Sequence, residues 1–332
     1  MKKLILFFAL LSGFNSFAQP QDAKELQENA REYMRHGDYD NAALLLIKAL
    51  DQSPADLGIA KDLALNYYFQ KENAKALETV KPLLDRADVD DQTFQIAGNI
   101  YKALDQPKEG EALYKKAIKR FPKSGSLYNE YGELLSSIQN NTAINQWEKG
   151  IEMDPGYSGN YYNAAKYYYF TIDKIWSILY AEIFINIEPL SARTTEVKSV
   201  LLDSYKKLFS GEIKNYETKN NFERAFIESM TKANAIAEKS INAESLTMIR
   251  TRFVLDWFEK NAAKYPFKLF EYHRQLLSEG IFPAYNQWIF GATQNLISYQ
   301  QWTNEHASEN AEFNNFQKGR IFKVPIGQYY HK

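Results

Sequence analysis

Residues 23–56 read AKELQENAREYMRHGDYDNAALLLIKALDQSPAD, and the same plan recurs along the chain. Aligning the turn His36-Gly37-Asp38-Tyr39 with later turns gives a period of about 34 residues. The units are 23–56, 57–90, 91–124, 125–157 and 158–191; the fourth is one residue short, at the turn around Asn140-Asn141. The eighth position of each unit carries Ala30, Ala64, Gly98, Gly132 and Ala165, and the twentieth carries Ala42, Ala76, Gly110, Ala143 and Ser177. All ten are small, as two helices crossing at close range require, because a larger side chain there would push the backbones apart.

Larger residues surround those contacts. The eleventh position holds Tyr33, Tyr67, Tyr101, Leu135 and Tyr168, and the fourth holds Leu26, Ala60, Phe94, Tyr128 and Tyr161. Positions four, eight and eleven form one stripe of an α-helix. Pro54, Pro122, Pro155 and Pro189 close four of the five second helices, since proline cannot continue the hydrogen-bond ladder; Asp88 replaces it in the second unit. On these residues the chain resembles the tetratricopeptide repeat (TPR) family from Ala23 to about Ser191, although the family's tryptophan at position four is missing throughout. The fold class expected is all-α: a TPR-type helix-hairpin superhelix followed by a C-terminal helical region, residues 192–332.

The resemblance implies a concave face lined by first helices that receives an extended peptide or a partner helix. Carried over position by position, the partner-binding candidates are Arg31, Arg35, Lys61, Tyr68, Phe69, Asn99, Lys102, Tyr162, Lys166 and Tyr169. As a set they are mildly basic, with aromatic steps at Tyr68-Phe69 and Tyr169-Phe170, which suits apolar anchors plus carboxylates on a partner. The family's carboxylate clamp, a lysine and an asparagine four apart on one first helix, is absent: Lys61 is followed by Leu65, and Asn99 is preceded by Gln95.

Before the repeats, Lys2-Lys3, the apolar run Leu4 to Leu11 and Ser16-Phe17-Ala18 read as a signal peptide, residues 1–18, cleaved after Ala18. The expected location is therefore periplasmic or secreted. Ile172 to Ile187 is the next most apolar stretch, but Asp173, Lys174 and Glu182 interrupt it, and a membrane span needs about 20 apolar residues. The net charge of −1 gives no field to attract nucleic acid. Cysteine is absent, which removes disulfides, thiolate metal sites, cysteine nucleophiles and a lipid-carrying cysteine.

In the C-terminal region, helices are predicted at Ala192 to Phe209, Phe222 to Ile241, Glu244 to Lys264, Pro266 to Ser278, and from Pro283 through Trp302 toward Gln317. The tail Ile321 to Tyr330 is expected to pack as an extended segment. Leu246, Ile249, Phe253 and Trp257 form a core-facing stripe. Arg250, Arg252, Asp256 and Glu259 make the densest charge group, with Arg252 and Asp256 placed to pair on one helix face. His36 and His331 are expected in solvent; His306 and Glu309 share a helical spacing without completing a metal site. No HExxH, GxSxG or phosphate-cradling glycine loop occurs.

These readings point to an exported scaffold that binds a protein or peptide of the cell envelope, with the C-terminal helices capping the array, since a terminal repeat would otherwise expose its apolar face. No enzyme activity, metal or cofactor is expected. The rival is glycan or nutrient capture by the Tyr, Trp, Asn and Gln content between Tyr285 and Trp302. An enzyme would instead require His273 or His306 to meet carboxylates in one cleft.

Overall fold

The computed structural model describes residues 22–211, 213 and 217–331, so the expected signal peptide lies outside the described residues. These residues form helices and no strand. Two compact units divide the chain, one up to Ile100 and one from Tyr101.

The first unit contains α1 (Ala23–Arg35), α2 (Tyr39–Gln52), α3 (Leu57–Phe69), α4 (Asn73–Val80) and most of α5 (Asp91–Ala103). Aspartates recur as N-caps just ahead of the first helices. Asp22 accepts from the Glu25 amide at 2.8 Å, Asp56 from Ile59 at 3.0 Å and Asp90 from Thr93 at 2.9 Å. Each cap satisfies an otherwise orphaned amide and stabilises its helix by about 1 kcal/mol. Ala30, Ala42, Ala64 and Ala76 are fully buried at the contacts where small residues are required. The helix of the second hairpin that lacks a closing proline ends early instead: Pro82 turns Lys81–Asp85 into a 3₁₀ segment.

In the first four hairpin turns the fifteenth position takes a left-handed backbone. Gly37 has φ +77°, and Lys71, Asp105 and Gln139 have φ of 63°, 54° and 56°. Only the first of these is glycine, so three side chains carry the strain that a Cβ meets in this region.

The second unit continues with α6 (Pro107–Arg120), α7 (Gly125–Ser137), α8 (Ala143–Met153), α9 (Ser158–Tyr169) and α10 (Lys174–Ile187). Helices α6, α8 and α10, like α2, stop two residues before their prolines. The intervening residue has left the helical region, with φ between −142 and −125° and ψ between 66 and 79°, in line with the steric bias against α conformation before proline. Gly132 admits the Trp147 ring so closely that an added Cβ would lie 2.3 Å from its Nε1.

Thirteen of the fourteen residues of α10 are buried. The helix is predominantly apolar on every face because it is surrounded, and the few polar side chains it carries, Lys174, Ser177, Glu182 and Asn186, are buried with it. Helix α11 (Ala192–Phe209) stacks beside α9 and α10. Beyond it come α12 (Asn221–Thr231), α13 (Asn234–Ala237), α14 (Ala243–Lys260), α15 (Lys268–Ser278) and α16 (Phe282–Asn286). A π-helical turn, Gln287–Gly291, leads to α17 (Ala292–Gln294), α18 (Leu296–Glu305) and α19 (Ala307–Lys318). Trp176 of α10 stacks on Phe222 of α12, and Phe222 in turn meets Trp257, Phe267 and Phe270. The stripe Leu246, Ile249, Phe253 and Trp257 faces inward as predicted.

Three C-terminal expectations need correction. The long helix from Pro283 is broken: Asn295 is extended (φ −159°) and its side chain accepts from the Ser298 amide at 3.0 Å, starting α18 afresh. The helix from Phe222 stops at Thr231, with only the short α13 after it. His331 is not in solvent: its Nδ1 lies 2.9 Å from Glu148 and its Nε2 3.0 Å from the Tyr168 hydroxyl. The tail is tied back by this contact, by Asn220 donating to the Tyr330 carbonyl at 2.7 Å, and by Tyr330 stacking on Phe222. No helix among the described residues is long and apolar enough to cross a membrane.

Candidate functional site

The ten candidate residues stand on first helices, and the structure shows what each side chain already holds. In the first unit, Arg31 donates through Nε to Asp62 of the next first helix at 2.8 Å, beside Gln27, which donates to the same oxygen at 2.6 Å. Lys61 pairs with Asp90 and reaches Gln92 at 3.2 Å. Burial works to raise the Asp90 carboxyl, but Lys61 and the two Thr93 donors hold it below its ordinary range. Arg35 pairs with Glu32 on its own helix. Tyr68, Phe69 and Asn99 remain outside this pairing. The Phe69 ring is 44% exposed, 5.8 Å from Tyr68 and 5.5 Å from Tyr39, and the Asn99 side chain makes no hydrogen bond among the described residues.

The second unit repeats the arrangement. Lys102 lies 3.3 Å from Glu130 and 3.6 Å from Glu133; Asn129 and Asn163 both donate to Glu133. Glu130 is raised by burial and by the nearby Glu133, against the pull of Lys102. Lys166 pairs with Glu196 of α11 at 2.6 Å, and Tyr162 donates to the same carboxylate at 2.7 Å. Tyr169 carries Lys207 of α11 over its ring at 3.6 Å and meets Phe170, which is 82% exposed.

Most of the basic character read from the sequence is therefore matched from within. Four of the five cationic candidates meet carboxylates on the helix two further along the chain or at its cap, and Arg35 meets one on its own helix. The sequence carries this signal as a cation followed by a carboxylate or amide after 28 to 31 residues, close to one repeat. What stays open is aromatic: Phe69 beside Tyr68, and Phe170 beside Tyr169.

The C-terminal charge group is divided differently from the sequence expectation. Asp256 pairs with Lys232 and with Lys260 at 2.7 Å, while Arg252 is exposed. Arg250 is buried and pairs with Glu182 of α10, with Asn286 as a second acceptor. Glu182 Oε1 also accepts from the Tyr285 hydroxyl at 2.8 Å and lies 2.8 Å from His273 Nε2. Burial alone would raise the Glu182 carboxyl, but Arg250, His273 and Tyr285 bring it down to about 2. Burial, helped by Arg250, keeps the His273 ring below its ordinary value despite Glu182. A histidine and a carboxylate do meet, but in the interior, 3% and 1% exposed, with neither lining a described cavity. The cluster joins α10 to α14, α15 and α16; an acid–base pair acting on substrate needs contact with it. His306 stacks on Trp302, whereas Glu309 accepts from the Ala284 amide, so the two do not converge.

Among the rings from Tyr285 to Trp302, Tyr285 and Phe290 are core, and Tyr299 and Trp302 line a cleft of about 260 Å³. Its wall adds Asn242, Gln287, Gln294, Asn295, Gln301, Glu244 and Glu305, with no lysine or arginine. Trp302 is held by its stack on His306, with centroids 4.4 Å apart and 8° between planes.

Comparison with known proteins follows the hairpins. Residues 33–95 match the family model described as tetratricopeptide repeat. No curated protein matches the chain. Among solved structures, a thermophilic TPR protein of Thermus thermophilus is 16% identical, covering 54% of this chain and 99% of that one, with a TM-score of 0.46. The protein MamA is 19% identical over 48% of this chain and 94% of its own, at 0.40. The protein YrrB, titled a TPR protein with an unusual peptide-binding site, is 18% identical over 53% of this chain and 92% of its own, at 0.38. The family match thus covers residues 33–95, and the helix pairs of that stretch recur in the same register from α1 to α10.

Proposed function

We propose that the chain is an exported scaffold that binds a protein or peptide of the cell envelope on the first-helix faces of its repeats. The observation that carries this reading is the contrast on those faces. Four of the five cations are paired by another helix or its cap and Arg35 by its own helix, while the rings of Phe69 and Phe170 stay open beside Tyr68 and Tyr169. An exposed large ring on an ordered helix end is the anchor type that dominates binding energy at protein interfaces. The candidate determinants thus shift from the lysines and arginines to Tyr68, Phe69, Asn99 and the Tyr169-Phe170 step, where Phe170 is the open ring. The basic, apolar and small-residue order of residues 1–18 supports export. Affinity capture from a cell-envelope fraction tests it, using the wild type and a Tyr68→Ala/Phe69→Ala/Tyr169→Ala variant. The wild type should retain a defined set of proteins that the variant loses; retention of the same set by both contradicts the reading.

A second reading, glycan capture, is favoured by the cleft at Tyr299 and Trp302. Amides and two carboxylates match sugar hydroxyls, and an aromatic ring matches a sugar face. Titrating tryptophan fluorescence with neutral oligosaccharides tests it: a saturable change abolished by Trp302→Ala supports it, and no change removes it.

A further inference from the structure

A separate recess of about 430 Å³ opens between α15, the end of α19 and the tail. Its walls are aromatic. Tyr272 and Phe322 are buried, Phe316 is half-buried, and the Tyr272 ring stacks on Phe316 at 6.0 Å and meets Phe322 at 5.5 Å. Two cations line it, Lys268 and Arg320, and neither pairs with a carboxylate among the described residues.

Arg320 is held in place by neutral groups. Its Nη1 donates to Asn186 Oδ1 at 2.6 Å, and its guanidinium lies over the Tyr272 ring at 4.7 Å. Asn186 is itself fixed, with Nδ2 against the Tyr285 hydroxyl at 2.7 Å and the Glu182 carbonyl at 2.8 Å. The Tyr272 hydroxyl, buried with its ring, makes no hydrogen bond among the described residues. A guanidinium has five N–H donors in a planar fork, and Asn186 engages only part of it. Glu182, the carboxylate behind Asn186, is matched by Arg250, so it does not neutralise Arg320.

We infer that this recess binds a carboxylate carried on an apolar or aromatic body. Arg320 is the anchor, because its fork fits a carboxylate and its orientation is set before binding. Lys268 adds a second charge, and Tyr272, Phe316 and Phe322 cover the apolar body. The volume falls within the ~300–1,000 Å³ of sites that enclose small ligands. A neutral sugar would leave both charges unmatched, and a bare inorganic anion would leave the rings wet. The carboxylate has two possible sources, a free aryl-alkanoic acid or the C-terminal end of a peptide.

Isothermal titration of the full chain with 4-phenylbutyrate and with its amide separates charge from shape, and acetyl-Leu-Phe with a free or amidated end adds the peptide source. The acids should bind at least about tenfold more tightly than their amides, as a charge-assisted contact requires. Arg320→Gln should weaken acid binding at least about tenfold on the same ground. Because Arg320 also ties down the tail, Lys268→Gln is the independent variant and should weaken the acids severalfold, with Lys323→Gln as a control outside the recess. Tighter binding of the dipeptide than of 4-phenylbutyrate assigns the site to a chain end, and the reverse order assigns it to a free acid. Equal binding of acid and amide, equal binding by Lys268→Gln and wild type, or no saturable binding at low-millimolar concentration overturns the inference.

Discussion

Replacing Glu182 by glutamine leaves the Arg250 guanidinium as an uncompensated cation inside the second compact unit. Both side chains are almost wholly removed from solvent, 1% and 2% exposed. Removing one partner of such a pair costs about 3–5 kcal/mol, because the remaining charge keeps its desolvation penalty and loses its counter-charge. That is a large part of the ~5–15 kcal/mol by which a folded domain exceeds its unfolded chain. Arg250→Met strands the carboxylate instead, which can take up a proton, so its cost should shrink as pH falls. The double variant has neither charge and should lose much less than the sum, by about 2 kcal/mol or more. Urea unfolding followed by tryptophan fluorescence reads the right region, since Trp147, Trp176, Trp257, Trp288 and Trp302 all lie in the second unit. The pH dependence has a definite sign. A glutamate brought from 4.5 to about 2 on folding contributes stability above pH 4.5 that is lost as pH falls toward 2. The gap corresponds to about 3 kcal/mol, and Glu182→Gln should lack that part of the acid loss. Single variants costing under ~1 kcal/mol, or a double variant equal to the sum, would refute a role for this pair in holding the C-terminal helices to α10.

Gly132→Ala should destabilise the second unit by about 1–2 kcal/mol, the Trp147 clash outweighing the helix-propensity gain. Gly110→Ala, whose new Cβ meets the flexible end of Leu134 at 3.1 Å, should be near neutral in the same urea titration. At the left-handed turn position, Lys71→Gly should raise the stability of the first unit by about 0.5–1 kcal/mol. Gly37→Ala should lower it by about 1 kcal/mol, since no neighbour lies within 4 Å and only backbone strain acts. Thermal melting by circular dichroism checks both, and a stabilising Gly37→Ala would contradict them. For His331, burial works to lower its pKa, but Glu148, Glu223 and Asp173 raise it overall. Its contact with Glu148 should thus be fully present below about pH 6.5 and fade as pH rises through the raised value, by at most ~1 kcal/mol. Hydrogen exchange of residues 321–331, corrected for intrinsic rate, should show protection falling with rising pH, and His331→Gln should remove that dependence.

The repeat half was legible because its determinants are local and periodic. The ten small residues, the stripes at positions four and eleven, and the four prolines each act within one hairpin. The inter-helix ion pairs were also present in the sequence, as recurring spacings of 28 to 31 residues, but a list of inward positions without their partners reads as a basic surface. The buried cluster left no such trace. Glu182 meets Arg250, His273 and Tyr285 across 68, 91 and 103 residues, and nothing periodic links those separations. Arg250 looked like part of a surface group because three charged neighbours share its helix. The break at Asn295 was hidden among Gln, Asn and Ser residues that serve helix interiors and caps alike. The 3₁₀ turn at Lys81–Asp85 was marked by Pro82, which acts inside the second helix of its hairpin.

In the proposed function, the open aromatic steps, and not the paired cations, meet the partner. Site-specific photo-crosslinking in intact cells tests it most directly, with the crosslinking residue placed at Phe69, at Phe170 and at Glu78 on a second helix. The account predicts a discrete crosslinked protein from Phe69 or Phe170 and none from Glu78. No crosslink from either aromatic position, or the same product from all three, would contradict it.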